Sequence, residues 1–571
     1  RQVTTCHTYF EGRAIMPDPI TIQVIRNALV AAAKEMQTTL VKTAHNPLIY
    51  EVQDFGVAMT NAQGELIAEG SGLPGFLACI PPSIQAGIEQ IGRDQIREGD
   101  VLLTNEPYDT GTHISDTLIY TPVFFEDELV AFTAIMAHWA DIGGIVSSGW
   151  CPYSTTIHQE GMIFSHLKLY DSGVLNQTLY DFILKNVRYP DLVEGDMHAK
   201  IAACHTGARR VQALCERYGA ATIDESMQIA FAQAERRMRR EIEAIPDGTY
   251  QAETYMDYDG VVRDTLRKIA VTVTIAGDEM HVDWTGTCEA TVGPINHPLV
   301  GTEALCVTML KSLTMPDDPM NHGHYRPLKV TAPPNTMVSA EYPAPCDSYG
   351  YVAEMIIHLI TRALADVIPE KCPACTYQMA AFQFYRNDPR HGEPFTYGEP
   401  LDGGGGAFHT DDGATGIMFL GNGDAPNVPV EVAETRYPMR VTQYAINVGS
   451  AGVGKYRGGF GIIREYEMVE DNISIQTSNE NTQYPPWGLH GGTQSGASEF
   501  VFWTNTDREV RMTDRVSDYG PFHAGDHLSF YTTGGGGWGN PAERDPAMIE
   551  ADLRNGLLTE EEAKEIYGYE G

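Results

Sequence analysis

Apolar residues recur at helical spacing near the start of the chain, just after the pair Asp18-Pro19. They follow one another at intervals of three or four residues, the period of one helix face: Ile25, Leu29, Ala33, Met36 and Leu40. An Asp before a Pro is a typical helix start. The pattern predicts one long amphipathic helix.

After this helix the sequence pattern changes to short β-rich runs separated by Gly and Asp. These runs are FGVAMT, GELIAEG, VLLTNEP, TLIYTPVFF and LVAFTAIMAH. The last two flank Glu126-Asp127-Glu128, which predicts a β-hairpin. Residues 174–245 return to a helical pattern that ends at the breaker Ile245-Pro246-Asp247-Gly248.

The second half alternates like antiparallel strands, with one further helix predicted at residues 352–368. Its many glycines indicate tight turns and close backbone approach, because apolar alternation continues between them. We therefore expect an α+β fold of several subdomains. They are an N-terminal extension (1–17), an α/β region with the candidate metal site (18–173), a helical segment (174–245), a Gly-rich α+β/β region (246–540) and a short helical tail (541–571).

The first residues are predicted to be an upstream extension. The sequence begins at Arg1, and Met16-Pro17-Asp18 would make a natural start. Neither a secretory signal nor an uninterrupted apolar span is evident. Ten cysteines are too few for a disulfide framework in a chain of this length. The expected location is the cytoplasm.

Charge narrows the choice of partners. The 571 residues carry 39 Lys and Arg against 76 Asp and Glu, a net charge of −37. Such a field repels nucleic acid and anionic membranes. It is compatible with divalent cations, with a complementary protein surface, or simply with a solvated face.

A cluster of polar residues interrupts the apolar β region. Asp54, the pair His113 and Asp116, and the pair His138 and Asp141 all lie within it. The predicted hairpin brings both histidines to one sheet edge, and two imidazoles with two carboxylates suit Zn²⁺, Mn²⁺ or Fe²⁺. Asp141 could hydrogen-bond one of the ligand imidazoles and so fix its orientation without binding the metal itself. The alternative is a set of hydrogen-bonded strand ends and turn-forming aspartates.

Other motifs are weaker. Cys372-Pro373-Ala374-Cys375 is a lone CxxC, compatible with zinc or redox chemistry or with ordinary thiols. Cys151 near His158 could be a nucleophile, although no nucleophile elbow surrounds it. None of the Gly-rich runs matches a phosphate loop or a dinucleotide fingerprint. Any ATP is therefore expected to bind another chain.

Several blocks, in order from about Asp18 to the end, resemble the hydantoinase B family, which includes subunits of hydantoinases, 5-oxoprolinase, caprolactamase and acetone and acetophenone carboxylases. The blocks include GDVLLTNEPYDTGTHISD, HWADIGG, NVRYPDLVEGDMHAKIAA, PMNHGHYRPLKVTAP, GVGKYRGGFGIIREY and GGGGWGNP. The resemblance implies a heteromeric enzyme. In it, a partner ATPase subunit of the hydantoinase A type, which holds ATP and Mg²⁺, phosphorylates the substrate carbonyl.

The resemblance also implies a site on this chain. The family's metal ligands map onto Asp54, His113, Asp116 and His138, with one divalent transition metal, Zn or Mn or else Fe. Asp141 and Glu160 are the catalytic candidates. Glu160 lies in the block Ile157-His158-Gln159-Glu160, where His158 replaces the family's usual aromatic residue.

Two chemistries are compatible with such a site. Water attack on a phosphorylated amide opens a hydantoin, oxoproline or lactam ring, and this is the expected reaction. Attack of an enol on carbon dioxide, supplied as bicarbonate, would instead carboxylate a ketone. A third alternative is a non-catalytic scaffold in a higher hetero-oligomer, in which the Asp/His cluster is structural.

Overall fold

The computed structural model describes residues 17–513 and 515–571. The predicted extension and the Met16 start lie outside the described residues, except for Pro17. The predicted division into five regions remains a prediction, and the mixed α/β character of the chain is confirmed.

Twelve α-helices occur in the described part of the chain. They are α1 (Pro19–Thr43), α2 (Pro47–Tyr50), α3 (Pro74–Ile91), α4 (Pro107–Thr110), α5 (Gln177–Asn186), α6 (Pro190–Tyr218), α7 (Ala220–Glu243), α8 (Leu299–Thr314), α9 (Gly350–Leu364), α10 (Val430–Arg436), α11 (Pro546–Arg554) and α12 (Glu560–Tyr567). The long N-terminal helix is confirmed, and Asp18 caps it by accepting hydrogen bonds from the backbone N–H groups of Ile20 and Thr21.

The strands of the first half are β1 (Phe55–Asn61), β2 (Leu66–Glu69), β3 (Val101–Thr104), β4 (Asp116–Phe125), β5 (Glu128–His138), β6 (Leu167–Asp171) and β7 (Val174–Leu175). They form one sheet in the order β2-β1-β5-β4-β3-β6-β7. The predicted hairpin between β4 and β5 is confirmed.

Both faces of this sheet are buried, because alternate side chains enter different cores. Ile119 and Ile135 pack with α1 and α6, whereas Leu118 and Met136 pack with α3 and α8. Strands covered on both sides read as continuous apolar runs. The sheet is therefore the rigid central layer of the N-terminal half.

Helix α3 is not predicted by the sequence pattern. It contains Pro81 and Pro82, and an interior proline removes a helix hydrogen bond and clashes with the preceding turn. Its apolar face, which includes Phe76 and Ile80, is nevertheless fully packed against the sheet and α8. Burial of that face outweighs the local penalty.

The strands of the second half are β8 (Gly248–Met256), β9 (Arg267–Ala276), β10 (Glu279–Asp283), β11 (Leu328–Thr331), β12 (Ala380–Arg386), β13 (Phe395–Pro400), β14 (Gly403–Gly404), β15 (Thr415–Ile417), β16 (Met439–Asn447), β17 (Gly461–Met468), β18 (Ile473–Asn479), β19 (Glu499–Phe502), β20 (Val510–Met512), β21 (Tyr519–Phe522) and β22 (His527–Tyr531). The orders are β11-β10-β9-β8, β13-β12-β18-β21, β14-β15 and β16-β17-β22-β19-β20. The first of these sheets packs with α8 and α9.

The glycine runs lie where backbones touch, as the pattern predicts. A Cβ atom on Gly404 would lie 2.1 Å from the carbonyl oxygen of Gly459, and one on Gly535 would lie 2.0 Å from that of Gly405. No side chain fits at these distances. The Gly-rich region is thus ordered and closely packed.

The tail helices α11 and α12 are joined to this region by a buried ion cluster. Arg544 pairs with Asp412 and Asp552, each with an N···O distance of 2.7 Å. Within the described ranges, none of the helices is both long enough and apolar enough to cross a membrane.

Candidate metal centre

The hairpin β4–β5 brings two of the predicted ligands face to face. Asp116 is the first residue of β4 and His138 the last of β5, and the two are partners in the strand register. His113 lies in the loop that enters β4. Asp54 immediately precedes β1, which pairs with β5. All four residues therefore meet at one end of the sheet.

Three donor atoms converge there. Nε2 of His113 lies 3.0 Å from Oδ1 of Asp116 and 3.2 Å from Nδ1 of His138. Nδ1 of His138 lies 3.1 Å from the same Asp116 oxygen. All three residues are buried, and their donor atoms can reach one ion.

Neighbouring groups fix the orientation of these donors. Nδ1 of His113 donates to the carbonyl oxygen of Asp347 at 3.0 Å, so that in the neutral imidazole the Nε2 lone pair faces the cluster. The Tyr349 hydroxyl donates to Oδ2 of Asp116 at 3.2 Å. Among the described residues, Oδ1 of Asp54 and Nε2 of His138 are buried without a hydrogen-bond partner.

Burial and neighbouring charges shift the pKa values of the site residues in opposite directions. Burial alone would lower the pKa of His113, but the adjacent Asp116 carboxylate outweighs it and the pKa lies well above 6.5. Burial would raise the pKa of Asp116, but the two histidines hold it well below its usual value. Burial raises the pKa of Asp54 to about 6. The cluster therefore stabilises positive charge between its acidic groups.

The residues present fit a divalent transition metal. Donor atoms about 2.1 Å from a tetrahedral ion lie about 3.4 Å apart, close to the distances of 3.0 to 3.2 Å in the cluster. Two imidazole nitrogens and one carboxylate oxygen suit Zn²⁺, Mn²⁺ or Fe²⁺. Asp54 lines the same cavity and its Oδ1 has no hydrogen-bond partner in the described structure, but it is not one of the three residues whose donor atoms converge.

Helix α6 supports the cluster from the opposite face of the sheet. The fully buried Lys200 donates to the carbonyl oxygens of Thr117 and Ala137 at 2.8 and 2.9 Å. Thr117 and Ala137 are paired across the hairpin, and they are the strand neighbours of Asp116 and His138. One turn earlier on α6, Asp196 accepts from the backbone N–H groups of residues 45 and 46, which precede α2.

A cavity with about 780 Å³ of space, part of which is open to solvent, lies over the cluster, and Asp54, His113, Asp116 and His138 all line it. Its other walls include Trp150 after β5, the start of α3, the loop before α9 and β18. That loop contributes three residues that the sequence did not single out as site residues: Asp347, Ser348 and Tyr349. They lie more than 200 residues from the ligands in sequence, and only the polar Asp-Ser-Tyr run at a helix start could have suggested them.

The two catalytic candidates lie behind the cavity wall rather than on it. Asp141 accepts hydrogen bonds from the backbone N–H groups of Ser148 and Arg188 and pairs with the Arg188 guanidinium at 3.0 Å. Glu160 accepts from the Ser154 hydroxyl at 2.7 Å and from the Cys346 N–H at 3.0 Å. Both hold loops that surround the site, and their catalytic role stays a prediction.

The cysteine motifs lie in packed surroundings. Cys372 and Cys375 are free and buried, and burial raises the pKa of Cys372 to about 12. Burial likewise raises the pKa of Cys151 to about 12, and its expected partner His158 instead hydrogen-bonds the Tyr342 hydroxyl at 2.8 Å. These contacts favour ordinary buried thiols, because only the thiolate is a nucleophile or metal ligand.

A buried His–Asp–His cluster beneath a cavity in a mixed α/β scaffold is an arrangement typical of enzyme active sites. The sequence pattern of the hydantoinase B/oxoprolinase family matches residues 18–541, and the chain belongs to that family. The resemblance seen in the sequence is thereby confirmed.

Individual relatives agree with this assignment. A protein named as the B-type component of a D-/L-hydantoinase from Pseudomonas sp. strain NS671 is 32% identical, over 96% of this chain and 95% of the relative. The crystal structure of the ATP-dependent caprolactamase from Pseudomonas jessenii matches with a TM-score of 0.88 at 28% identity, over 97% of this chain and 96% of that one.

The nucleotide-free acetone carboxylase also matches with a TM-score of 0.88, over 96% of this chain and 79% of that one. Its identity is only 18%, so this likeness concerns the fold. The chain is therefore an enzyme subunit of the hydantoinase, oxoprolinase and caprolactamase type. Relatives that are themselves named as one component of a larger enzyme imply a partner subunit.

Proposed function

We propose that this chain receives a phosphorylated carbonyl intermediate from an ATPase partner subunit of the hydantoinase A type and resolves it by hydrolytic opening of a cyclic amide. The observation that carries the proposal is the convergence of His113, Asp116 and His138 at the wall of a largely apolar cavity. Relatives named as a hydantoinase component and a caprolactamase component support the substrate class. ATP and Mg²⁺ belong to the partner.

The ligand set proposed for the metal is Asp54, His113, Asp116 and His138. When bound, a divalent ion supplies Lewis acidity that brings the pKa of water toward neutrality and offsets negative charge on a departing phosphate. The walls are mostly apolar, and charge interactions beside such walls are stronger than in bulk water.

We assign proton transfer to Asp347. It lines the cavity, Oδ1 lies 3.7 Å from Nδ1 of His113, and burial raises its pKa. A carboxylate whose pKa is raised toward neutrality is a better general base. The first water attacks the phosphorylated carbon, and Asp347 passes its protons to the ring nitrogen as the C–N bond breaks, which leaves an acyl phosphate. A second water then cleaves the acyl phosphate into the carboxylate and free phosphate.

The test is turnover of the chain assembled with its ATPase partner in bicarbonate-free buffer. We expect ring-opened product and phosphate release from wild type, loss of product in Asp116→Asn, and unchanged product in the exposed control Asp278→Asn. Strict dependence on bicarbonate would show a carboxylase instead. Full turnover by metal-free protein would show a scaffold.

A further inference from the structure

A second chamber adjoins the cavity above the metal centre. It contains about 400 Å³ of space, part of which is open to solvent. Six residues line both spaces: Leu73, Phe76, Tyr349, Gly350, Phe419 and Asn422. The two spaces are therefore adjacent, and these six residues lie at the boundary between them.

Three helices begin at the wall of this chamber. They are α3, α8 and α9, and none has a hydrogen bond from a capping side chain. The first N–H groups of a helix have no acceptor within the helix. Each helix start also carries roughly half a positive charge. Three such starts around one space favour negative charge within it.

Each of these helices presents a glycine to the chamber in its first turn: Gly75 in α3, Gly301 in α8 and Gly350 in α9. A Cβ atom on Gly75 would have only one neighbour within 4 Å, the carbonyl oxygen of Gly421 at 3.7 Å. The space beside it is therefore open. A Cβ atom on Gly301 would instead lie 2.2 Å from the carbonyl oxygen of Gly111, and one on Gly350 would lie 3.0 Å from Sδ of Met379. Gly75 is therefore the position that allows a ligand to approach the backbone N–H groups closely.

A side chain points to a ligand independently of the helices. Thr112 lines the chamber, is only 1% exposed, and its hydroxyl has no hydrogen-bond partner among the described residues. A buried hydroxyl without a partner is costly, so such groups are normally satisfied by a ligand or water.

The charge of the chamber walls is compatible with an anion. Glu354 also lines the chamber, and its Oε1 accepts from the Gly421 N–H at 2.7 Å. Burial raises the pKa of Glu354 to about 8, so this carboxyl is mostly uncharged at neutral pH. Among the described lining residues there is no Lys or Arg. Recognition would therefore rely on backbone dipoles and the Thr112 hydroxyl.

We propose that this chamber is an oxyanion subsite that holds the phosphoryl group of the intermediate while its carbonyl carbon lies over the metal cluster. The assignment of the phosphoryl group rests on the proposed function. The oxyanion chemistry itself rests on the three uncapped helix starts and Thr112. The same contacts would retain the released phosphate briefly.

The test is binding of inorganic phosphate to the full chain, measured by equilibrium dialysis. We expect one saturable site per chain. Thr112→Val should weaken binding about tenfold or more, because a hydrogen bond to a charged group is lost, and Thr112→Ser should restore it. Gly75→Ala should weaken binding at least threefold by placing a methyl group in the open space. The control Gly496→Ala, with similarly loose contacts, should bind normally.

Repeating the measurement on Asp116→Asn separates this proposal from the metal centre. Phosphate binding that persists there and still depends on Thr112 supports the subsite even if the metal assignment fails. No saturable binding to wild type, or equal binding by wild type, Thr112→Val and Gly75→Ala, would overturn the subsite. Binding of bicarbonate but not phosphate, with the same dependence, would overturn the phosphoryl assignment.

Discussion

At the scale of single residues, the site depends on which atoms lack a partner within the protein. Oδ1 of Asp54 and Nε2 of His138 are buried and have no hydrogen bond in the described structure. Leaving such groups buried and unpaired costs several kcal/mol in total. A bound cation would remove that cost, so ligand substitutions are expected to act first on metal content.

His138→Ala should remove the metal and abolish substrate turnover, while the partner's ATP hydrolysis stays at least partly intact. The reason is that His138 supplies one of three converging donors, and nucleotide motifs are absent from the sequence. Elemental analysis of the purified complex and a phosphate-release assay would check this. His391→Ala, at a half-exposed side chain in a turn, is the control. Lost assembly with normal metal content would contradict the prediction.

Glu354 predicts a pH effect on stability. Its pKa rises from 4.5 to about 8 on folding because the carboxyl is buried. The folded state therefore binds the extra proton. The resulting stabilisation is fully present below pH 4.5 and is lost as the pH rises through about 8, at about 1.4 kcal/mol per pH unit between these values.

Glu354→Gln removes this titration. Chemical denaturation between pH 5 and pH 8 should show that the variant loses stability less steeply than wild type as the pH rises. Parallel curves for the two proteins would contradict the raised pKa.

At the scale of elements, much of the fold could be predicted from the sequence. Helix α1, the β4–β5 hairpin and the glycine contacts follow from local periodicity and turn chemistry. Helix α3 could not, because its two prolines oppose a helix locally and only its burial against the sheet explains it.

The site, like the fold, could be predicted from the sequence only in part. The hairpin made the pairing of Asp116 with His138 predictable, since antiparallel neighbours align. Asp347 and Tyr349 reach the cluster only through the packing of α9, and no short-range pattern records such a contact. Asp141 was singled out by its place in the polar cluster and by resemblance, and Glu160 by resemblance alone, whereas the contacts of both residues hold loops.

Helix α6 supplies a prediction at this scale. Lys200→Met should lower the free energy of unfolding by about 3 kcal/mol, because it leaves the carbonyl oxygens of Thr117 and Ala137 buried without their donor. Metal affinity should fall as well, since the adjacent strand positions carry two of the donors. Denaturation and metal competition by a chelator would measure both. Lys564→Met, on the last described helix, should change neither, and an unaffected Lys200→Met would refute the supporting role.

At the scale of the whole molecule, the main question is which subunit binds and hydrolyses ATP. The sequence contains no phosphate loop or dinucleotide fingerprint, and relatives are named as single components of larger enzymes. We predict that the purified chain alone does not hydrolyse ATP. Phosphate release with and without the partner tests this, and robust release by the chain alone would overturn the proposed arrangement.

The pairing of Asp116 with His138 also has an evolutionary consequence. A bulge between Val123 and Phe124 interrupts the hairpin register, and the turn at Glu126 and Asp127 lies beyond it. Insertions or deletions at that turn leave the strand ends aligned. A single-residue deletion between the bulge and Asp116 would rotate every side chain to the other face of the sheet. Length variation among relatives should therefore concentrate at the hairpin tip and be absent from the strand segment below it.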